Sequence, residues 1–313
     1  MELQELADEL KIKRFVVWGL RTVFNDSHHF IHRGFFVTLT KLGVNVIWVD
    51  DSIASSALIG PGDFVIAVNR AMKYLPFIQG CKYCLHNAKF SDDEGVNAKD
   101  IIYLQVLTKD RIDKSLKNTC NVNTLLEGSA YFDRSVNILY QSWGTPLLAS
   151  EFLKPKKLNF RKYEFFVGAI WNNDLGQGND KVIPQYERIL KDNSIKFVHV
   201  QGAPEVLNPS FVRHSAIGAS IVGEWQRHWG YAPCRLFKAV SYGIPGLINS
   251  SALLEAYPWV RADEDISRLV SYSLELKPHD AEDLVHYQQS FISKETYESK
   301  LKNILICLNS IDS

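Results

Sequence analysis

Excess charge of either sign is absent from this 313-residue sequence, in which Lys plus Arg and Asp plus Glu both number 35. Without a global basic field to draw in polyanions, any anion site has to be built locally. Nucleic acid is therefore not expected as a partner, and peripheral membrane association is left open. Long apolar runs are missing as well. No stretch reaches the roughly 20 apolar residues of a membrane span. The opening MELQELADELKIKR is charged and amphipathic and lacks the apolar core of a secretion signal, so a cytoplasmic location is expected. Cysteine is scarce, with five residues at irregular spacing. Cys81-Lys-Tyr-Cys84 has no second pair to complete a zinc ribbon, and the thiols read as structural or incidental. There is no GxxxxGK[ST], no GxSxG and no GxGxxG after the first apolar run, which removes the usual support for kinase, hydrolase and NAD-enzyme readings. What is present is globular: 46% apolar and 22% charged residues, with a length that suits two domains of roughly 150 residues each.

The apolar runs are short and separated by helical patterns. RFVVWG (Arg14 to Gly19) reads as a buried strand. A polar loop follows, then a helix from His28 to Leu42 with Ile31, Phe35, Leu39 and Leu42 on one face and Gly43 as its cap. VNVIWV, DFVIAV, YCLHN and IIYLQVL continue the series. The second half repeats the plan with YEFFVGAIW, a helix near Ile183 to Leu190, IKFVHVQG, SAIGASIVG, the helix CRLFKAVSYG and the strand GIPGLINS, before a helix-rich tail from Asp265. Alternating buried strands and helices predict parallel sheets covered on both faces, hence an α/β chain of two Rossmann-like domains with a helical C-terminal tail. The basic, aperiodic FLKPKKLNFRK (Phe152 to Lys162) is the linker candidate. It divides the chain into domains at 1–155 and 156–313.

In open parallel sheets ligands bind beyond the carboxyl ends of the strands. Three such loops carry unusual residues. In GYAPCRLFKAVSYGIPGLINSSAL, Pro233 suits the first turn of a helix and Gly243 its end, while Arg235 and Lys238, three apart, share a face near the helix N-terminus. Free backbone N–H groups and the helix dipole favour an anion there, and a diphosphate fits. A solvated cationic pair is the plain alternative. This element resembles the donor-site helix of GT-B glycosyltransferases, in which an Arg-aliphatic-Phe-Glu-Ala helix ends in Gly and leads into a strand. The resemblance extends through KFVHVQG and over the two-domain layout. It implies a nucleotide-sugar donor held by Arg235, Lys238, Ser241 and Tyr242, with Asn249 and Ser250 nearby. Two departures stand out: Lys238 occupies the place of a ribose-binding Glu, and the loop after YEFFVG, AIWNNDLGQGND, lacks the Arg and Lys that commonly grip a diphosphate.

The second loop, NDSHHFIHRG, sets His28 and His32 four apart on one helix face and Arg33 beside His29. One of His28, His29 and His32, or Asp26, is a candidate general base, since a neutral imidazole exists at near-neutral pH. Helix capping or lining is the alternative for each histidine. Arg21 and Arg33 are candidate acceptor contacts. The third loop, EWQRHWGYAPC, supplies Glu224 and Trp225 for the donor's flat faces and hydroxyls, with His199, Gln201 and Gly202 at the end of KFVHVQG approaching the same ligand; packing of Trp225 and Trp229 between domains is the alternative for the tryptophans. The triplet Asp263-Glu264-Asp265 reads as a helix cap, and no metal or other cofactor is expected. The leading expectation is transfer of a sugar from a nucleotide-sugar donor to a saccharide or other hydroxyl acceptor. A nucleotide-sugar hydrolase or epimerase of the same fold, and a non-catalytic two-domain binder of a small ligand, remain open beside it.

Overall fold

A computed structural model describes residues 2–24, 26–88, 98–108, 126–156 and 162–312. They fall into two compact units. The first takes the described residues to Val106, those up to Gln141, and Tyr297 onward; the second takes the piece from Leu107 and Ser142–Thr296.

The first unit runs α1 (Leu3–Glu9), β1 (Arg14–Trp18), α2 (Ser27–Lys41), β2 (Val46–Val49), α3 (Ile53–Ser56), β3 (Asp63–Val68), β4 (Lys82–His86), β5 (Ile101–Val106), β6 (Ala130–Asp133) and β7 (Ile138–Gln141). These strands form one seven-stranded sheet in the order β2-β1-β3-β4-β5-β7-β6. Every pairing is parallel except β6 with β7 at the edge. A parallel sheet must be buried on both faces, and β3 is buried at all six positions. Val16, Trp18, Val65, Ala67, Tyr83, Leu85, Ile101 and Tyr103 pack on one side of it. On α2, Ile31, Phe35 and Leu39 are buried. The helix starts where the Asp26 carboxylate accepts the His28 amide at 2.8 Å, an N-cap that satisfies one otherwise orphaned N–H. Because β1 pairs with β2 on one side and β3 on the other, the connections leaving β1 and β3 run in opposite directions. That divergence opens a crevice at the carboxyl ends of β1 and β3.

The second unit comprises β8 (Tyr163–Val167), α4 (Ile183–Asp192), β9 (Lys196–Val200), α5 (Asn208–His214), α6 (Glu224–His228), α7 (Cys234–Ser241), β10 (Leu247–Ile248), β11 (Arg261–Ala262), α8 (Ile266–Glu275) and α9 (Pro278–Ile292). β8 pairs with β9 and β10 with β11, both parallel. Residues 215–222, expected as a strand, run between the two pairs as extended chain. They have one parallel bridge, Ser220 to Ile248, and hydrogen bonds from the Ala216 amide to the Tyr163 carbonyl at 2.7 Å and from the Ser220 amide to the Leu247 carbonyl at 2.8 Å. The buried Glu164 carboxylate explains the irregularity. It accepts the amides of Ile217 at 2.8 Å and Gly218 at 3.0 Å and the Tyr186 hydroxyl at 2.9 Å. These bonds, with Gly218 at φ +73°, replace a regular ladder. The resulting order, β9-β8-(215–222)-β10-β11, repeats that of the first unit and places a second crevice between the ends of β8 and residues 219–222.

The tail differs from the expected division of the chain at 155/156. The final helix, α10 (Tyr297–Asp312), belongs to the first unit. Tyr297 stacks edge-on against Phe35 at 5.0 Å, and Asn303 donates to the Glu127 carbonyl at 2.9 Å and the Gln141 side chain at 3.2 Å. At the other boundary, Leu153 and Lys156 donate their amides to the Ser241 and Gly243 carbonyls, so this start of the linker candidate is tied to the second unit. Its residues 157–161 lie outside the described residues.

Candidate functional site

Each unit carries a polar cluster at its crevice. In the first, the chain turns sharply after β1. Gly19 has φ +80° and Leu20, unusually for a residue with a Cβ, φ +60°. Their carbonyls face α2: His29 Nδ1 lies 2.7 Å from the Leu20 oxygen and His32 Nδ1 3.2 Å from the Gly19 oxygen. A carbonyl only accepts, so both rings carry their proton on Nδ1. These two histidines, both buried, hold the loop. His32 Nε2 is buried with no hydrogen-bond partner among the described residues, and burial pushes its pKa down to about 4.

His28 has a different setting. Its Nδ1 lies 3.2 Å from Asp26 Oδ1, and its Nε2 lies 3.4 Å from the side-chain nitrogen of Asn87. With the carboxylate accepting at Nδ1, Nε2 carries the lone pair, which accepts the long bond from the Asn87 amide and is the ring's basic atom. The second Asp26 oxygen takes a 2.6 Å bond from Arg70. Burial pushes the Asp26 carboxyl up, but the His28 amide, Arg70 and the His28 ring outweigh it and hold the pKa below the ordinary value. Burial and then Arg70 push the His28 imidazole down, against the opposing pull of Asp26. His28 is therefore neutral at pH 7. His86, at the end of β4, stands with its ring 5.0 Å from that of His28, and burial drives its pKa well below the usual value. Asp26, from the loop after β1, and Arg70, from the loop after β3, span the crevice. Arg70, His86 and Asn87 were not singled out from sequence; their only signal is position at the ends of DFVIAV and YCLHN. Of the two arginines expected to contact an acceptor, Arg21 is exposed and donates to the Trp48 carbonyl at 3.0 Å, while Arg33 is half-buried on α2.

In the second unit the crevice is occupied by Arg235, in the first turn of α7. Its guanidinium stacks on the Phe166 ring at 4.2 Å and donates through Nη2 to the Ile221 carbonyl at 3.0 Å. Nη1 lies over Gly168, 3.5 Å from where a Cβ would be. Nε is buried with no partner among the described residues. Burial lowers the guanidinium's pKa, yet arginine stays charged at neutral pH. A cation is thus fixed at the end of β8, in the first turn of α7, where Leu236 gives its amide to the Pro233 carbonyl at 3.0 Å and the helix ladder itself leaves the Cys234 and Arg235 amides over.

The other expected donor contacts divide into two groups. His199 comes to the same place, its Nε2 2.7 Å from the Gly168 carbonyl. Gln201 and Gly202 are exposed just beyond β9. Glu224 is exposed at the start of α6, and Trp225 is half-buried 6.2 Å from the Tyr231 ring. Asn249 spends both ends of its amide on the Val222 backbone, at 2.7 and 3.0 Å, and so ties β10 to residues 219–222. The hydroxyl of Ser250 is buried with no hydrogen-bond partner among the described residues. Lys238, Ser241 and Tyr242 are not brought to the crevice mouth. Lys238 is only 7% exposed. Ser241 Oγ shares a 2.8 Å bond with Thr145, and the Tyr242 carbonyl accepts Arg213 at 2.6 Å. Six residues at about 1.5 Å each put Ser241 roughly 9 Å along the helix axis from Arg235, which explains why the far end of α7 does not share its surroundings.

The loop after β8 closes on itself. Asn179 accepts the Trp171 amide at 2.8 Å, and Gly178 lies so close to the Trp171 carbonyl that a Cβ would be 2.0 Å from it. Asp265 caps α8 through the Ser267 and Arg268 amides. Among the described residues no group of three or more His, Cys, Asp and Glu side chains is disposed to hold a metal ion, and no helix is long and apolar enough to cross a membrane.

No family model matches the chain, and no curated protein matches it. Among solved structures it is similar to a T4 phage beta-glucosyltransferase at 8% identity, with 95% of this chain and 98% of that chain covered and a TM-score of 0.49. It is also similar to a UDP-forming alpha,alpha-trehalose-phosphate synthase from Burkholderia xenovorans at 11% identity, with 94% and 84% covered and a TM-score of 0.45.

Proposed function

We propose that the chain is a glycosyltransferase of the GT-B plan that moves a sugar from a nucleotide-sugar donor to a saccharide or other hydroxyl acceptor. The observation that carries this reading is Arg235: a cation fixed on Phe166 at the β8 crevice, beside the start of α7, with a donor N–H left unused. A diphosphate is the ligand whose charge and oxygens use such an arrangement best. Breaking the bond between the anomeric carbon and the diphosphate leaves negative charge on the departing nucleotide. Arg235 and the α7 amides stabilise that charge as it grows.

The first unit supplies the base. As the acceptor oxygen bonds to the anomeric carbon, its proton passes to His28 Nε2, and Asp26 holds the resulting imidazolium through Nδ1. Asp26 is a poorer base because both of its oxygens are engaged and its pKa is held low. His29 and His32 are committed to the loop carbonyls. Donor recognition beyond the diphosphate falls to residues at the same strand ends: His199, Gln201, Gly202, Glu224 and Trp225. No metal is required by this scheme, since Arg235 and a helix terminus do the work of a cation.

The test is product analysis on a panel of nucleotide sugars with saccharide acceptors. Release of free nucleoside diphosphate matched by a new glycoside supports transfer. Nucleotide release with free sugar in the absence of any acceptor product would instead support the hydrolase reading, and binding without turnover would sink both.

A further inference from the structure

We propose that Phe24 and Arg21 form the platform on which the acceptor lies, and that the acceptor is a pyranoside carrying an anionic group, a carboxylate or a phosphate. The inference rests on reading the first unit as the acceptor half. Phe24 is 59% exposed. Single exposed apolar side chains are ordinary on protein surfaces, but this one is fixed from beneath. Its ring meets His29 edge-on at 5.0 Å. His29 is held in turn by the Leu20 carbonyl at 2.7 Å and against the Trp48 ring at 5.2 Å.

Beside Phe24, the Val23 amide bonds the Leu20 carbonyl at 3.3 Å, and the Asp26 amide bonds the Val23 carbonyl at 3.2 Å. The exposed Phe24 ring, backed by His29 and two residues before Asp26, gives the C–H face of a sugar a surface to stack on. Val23, the preceding residue, is exposed as well.

Arg21 stands on the same support. It bonds the carbonyl of Trp48 at 3.0 Å, the residue whose ring carries His29. A neutral carbonyl leaves the guanidinium its full charge, and the bond uses one of its five N–H donors. Of the acids on the neighbouring loops, Asp26 is paired with Arg70 and His28, and Asp51 Oδ1 accepts the Trp18 indole and the Tyr74 amide. An aromatic face and an open cation three residues apart suit a ring with one negative substituent. His29 here is a positioning residue for the platform.

The test uses binding, not turnover. Calorimetric titration of the full chain with methyl glucuronide, glucose 6-phosphate and methyl glucoside is expected to show saturable binding of both anionic sugars, about tenfold tighter than the neutral one. Phe24→Ala is expected to weaken all three about tenfold, with Phe24→Tyr restoring affinity to within about threefold. Arg21→Gln is expected to remove only the anionic preference. If glucuronide alone is favoured the group is a carboxylate, and if the phosphate alone is favoured it is a phosphate; either supports the proposal. No saturable binding of any of the three to the unaltered protein, or unchanged affinity in Phe24→Ala, overturns it. Because no transfer is measured, absence of turnover on nucleotide sugars would refute the glycosyltransferase reading while leaving this result standing.

Discussion

Asp26 plays three roles at once, as helix cap, partner of Arg70 and orienting group for His28, and two substitutions separate them. Asp26→Ala removes the cap, worth about 1 kcal/mol, and the pair with Arg70. That arginine side chain is 52% exposed, so the pair is screened and adds at most about 1 kcal/mol. The expected loss of stability is therefore about 1–2 kcal/mol, seen as a lowered urea midpoint. Asp26→Asn keeps a capping oxygen for the His28 amide, because asparagine caps as well as aspartate, and it should lose less than about 1 kcal/mol.

Activity should divide differently. Both variants lose the negative charge that favours protonated His28, so the His28 pKa falls further. A general base works only when neutral, and the rate declines as pH drops through its pKa. The acid limb of kcat/KM should accordingly move to lower pH in both variants, with kcat reduced about tenfold or more, against about 10²- to 10⁴-fold for His28→Ala. The assay is sugar transfer across pH 4.5–8, with thermal melts to show that each variant is folded. An Asp26→Asn variant more damaged than His28→Ala, or an acid limb that moves upward, would refute the assignment and make Asp26 the base.

The buried histidines predict an acid-labile first unit. His32, ordinarily near 6.5 and here about 4, stays neutral in the folded chain while the unfolded chain takes up a proton. Stability is then complete above about pH 6.5 and falls by about 1.4 kcal/mol per pH unit as pH drops toward 4. Urea midpoints at pH 7, 6 and 5 check this, and His32→Gln should flatten the slope. In the second unit, Glu164→Ala strands two amides and the Tyr186 hydroxyl in the interior. At about 1–3 kcal/mol per orphaned group it should cost roughly 3–9 kcal/mol, read by denaturant melts. A loss below about 1 kcal/mol would remove Glu164 as the reason residues 215–222 hold their path.

Much of the fold is legible because buried parallel strands are short apolar runs. Arg14–Trp18, Asp63–Val68 and Ile101–Val106 stand out from the helices between them for that reason. The β6–β7 hairpin does not, since four-residue strands with alternating burial resemble loop. The return of α10 to the first unit is also invisible, because only packing against Phe35 and Gln141 decides where an amphipathic helix docks. At the candidate site, the Asp26–His28 loop and the Arg235 helix could be found because each is local. The ion pair of Asp26 with Arg70 and the contact of His28 with His86 join residues 44 and 58 positions apart, by subtraction of their numbers. Parallel strand order, not sequence spacing, brings those ends together. Ser241 fails for a local reason: six residues past Arg235 it has turned about 240° around α7 and meets Thr145 instead of the crevice.

Whether Arg235 grips a diphosphate is decided by calorimetry of nucleoside diphosphates against the corresponding monophosphates. The unaltered protein should prefer a diphosphate, and Arg235→Ala should weaken its binding by about 2–3 kcal/mol, roughly 30- to 150-fold in Kd. Arg235→Lys should fall between, and melts should show both variants folded. Equal affinity for diphosphate and monophosphate, or an unchanged diphosphate Kd in folded Arg235→Ala, would contradict such a grip.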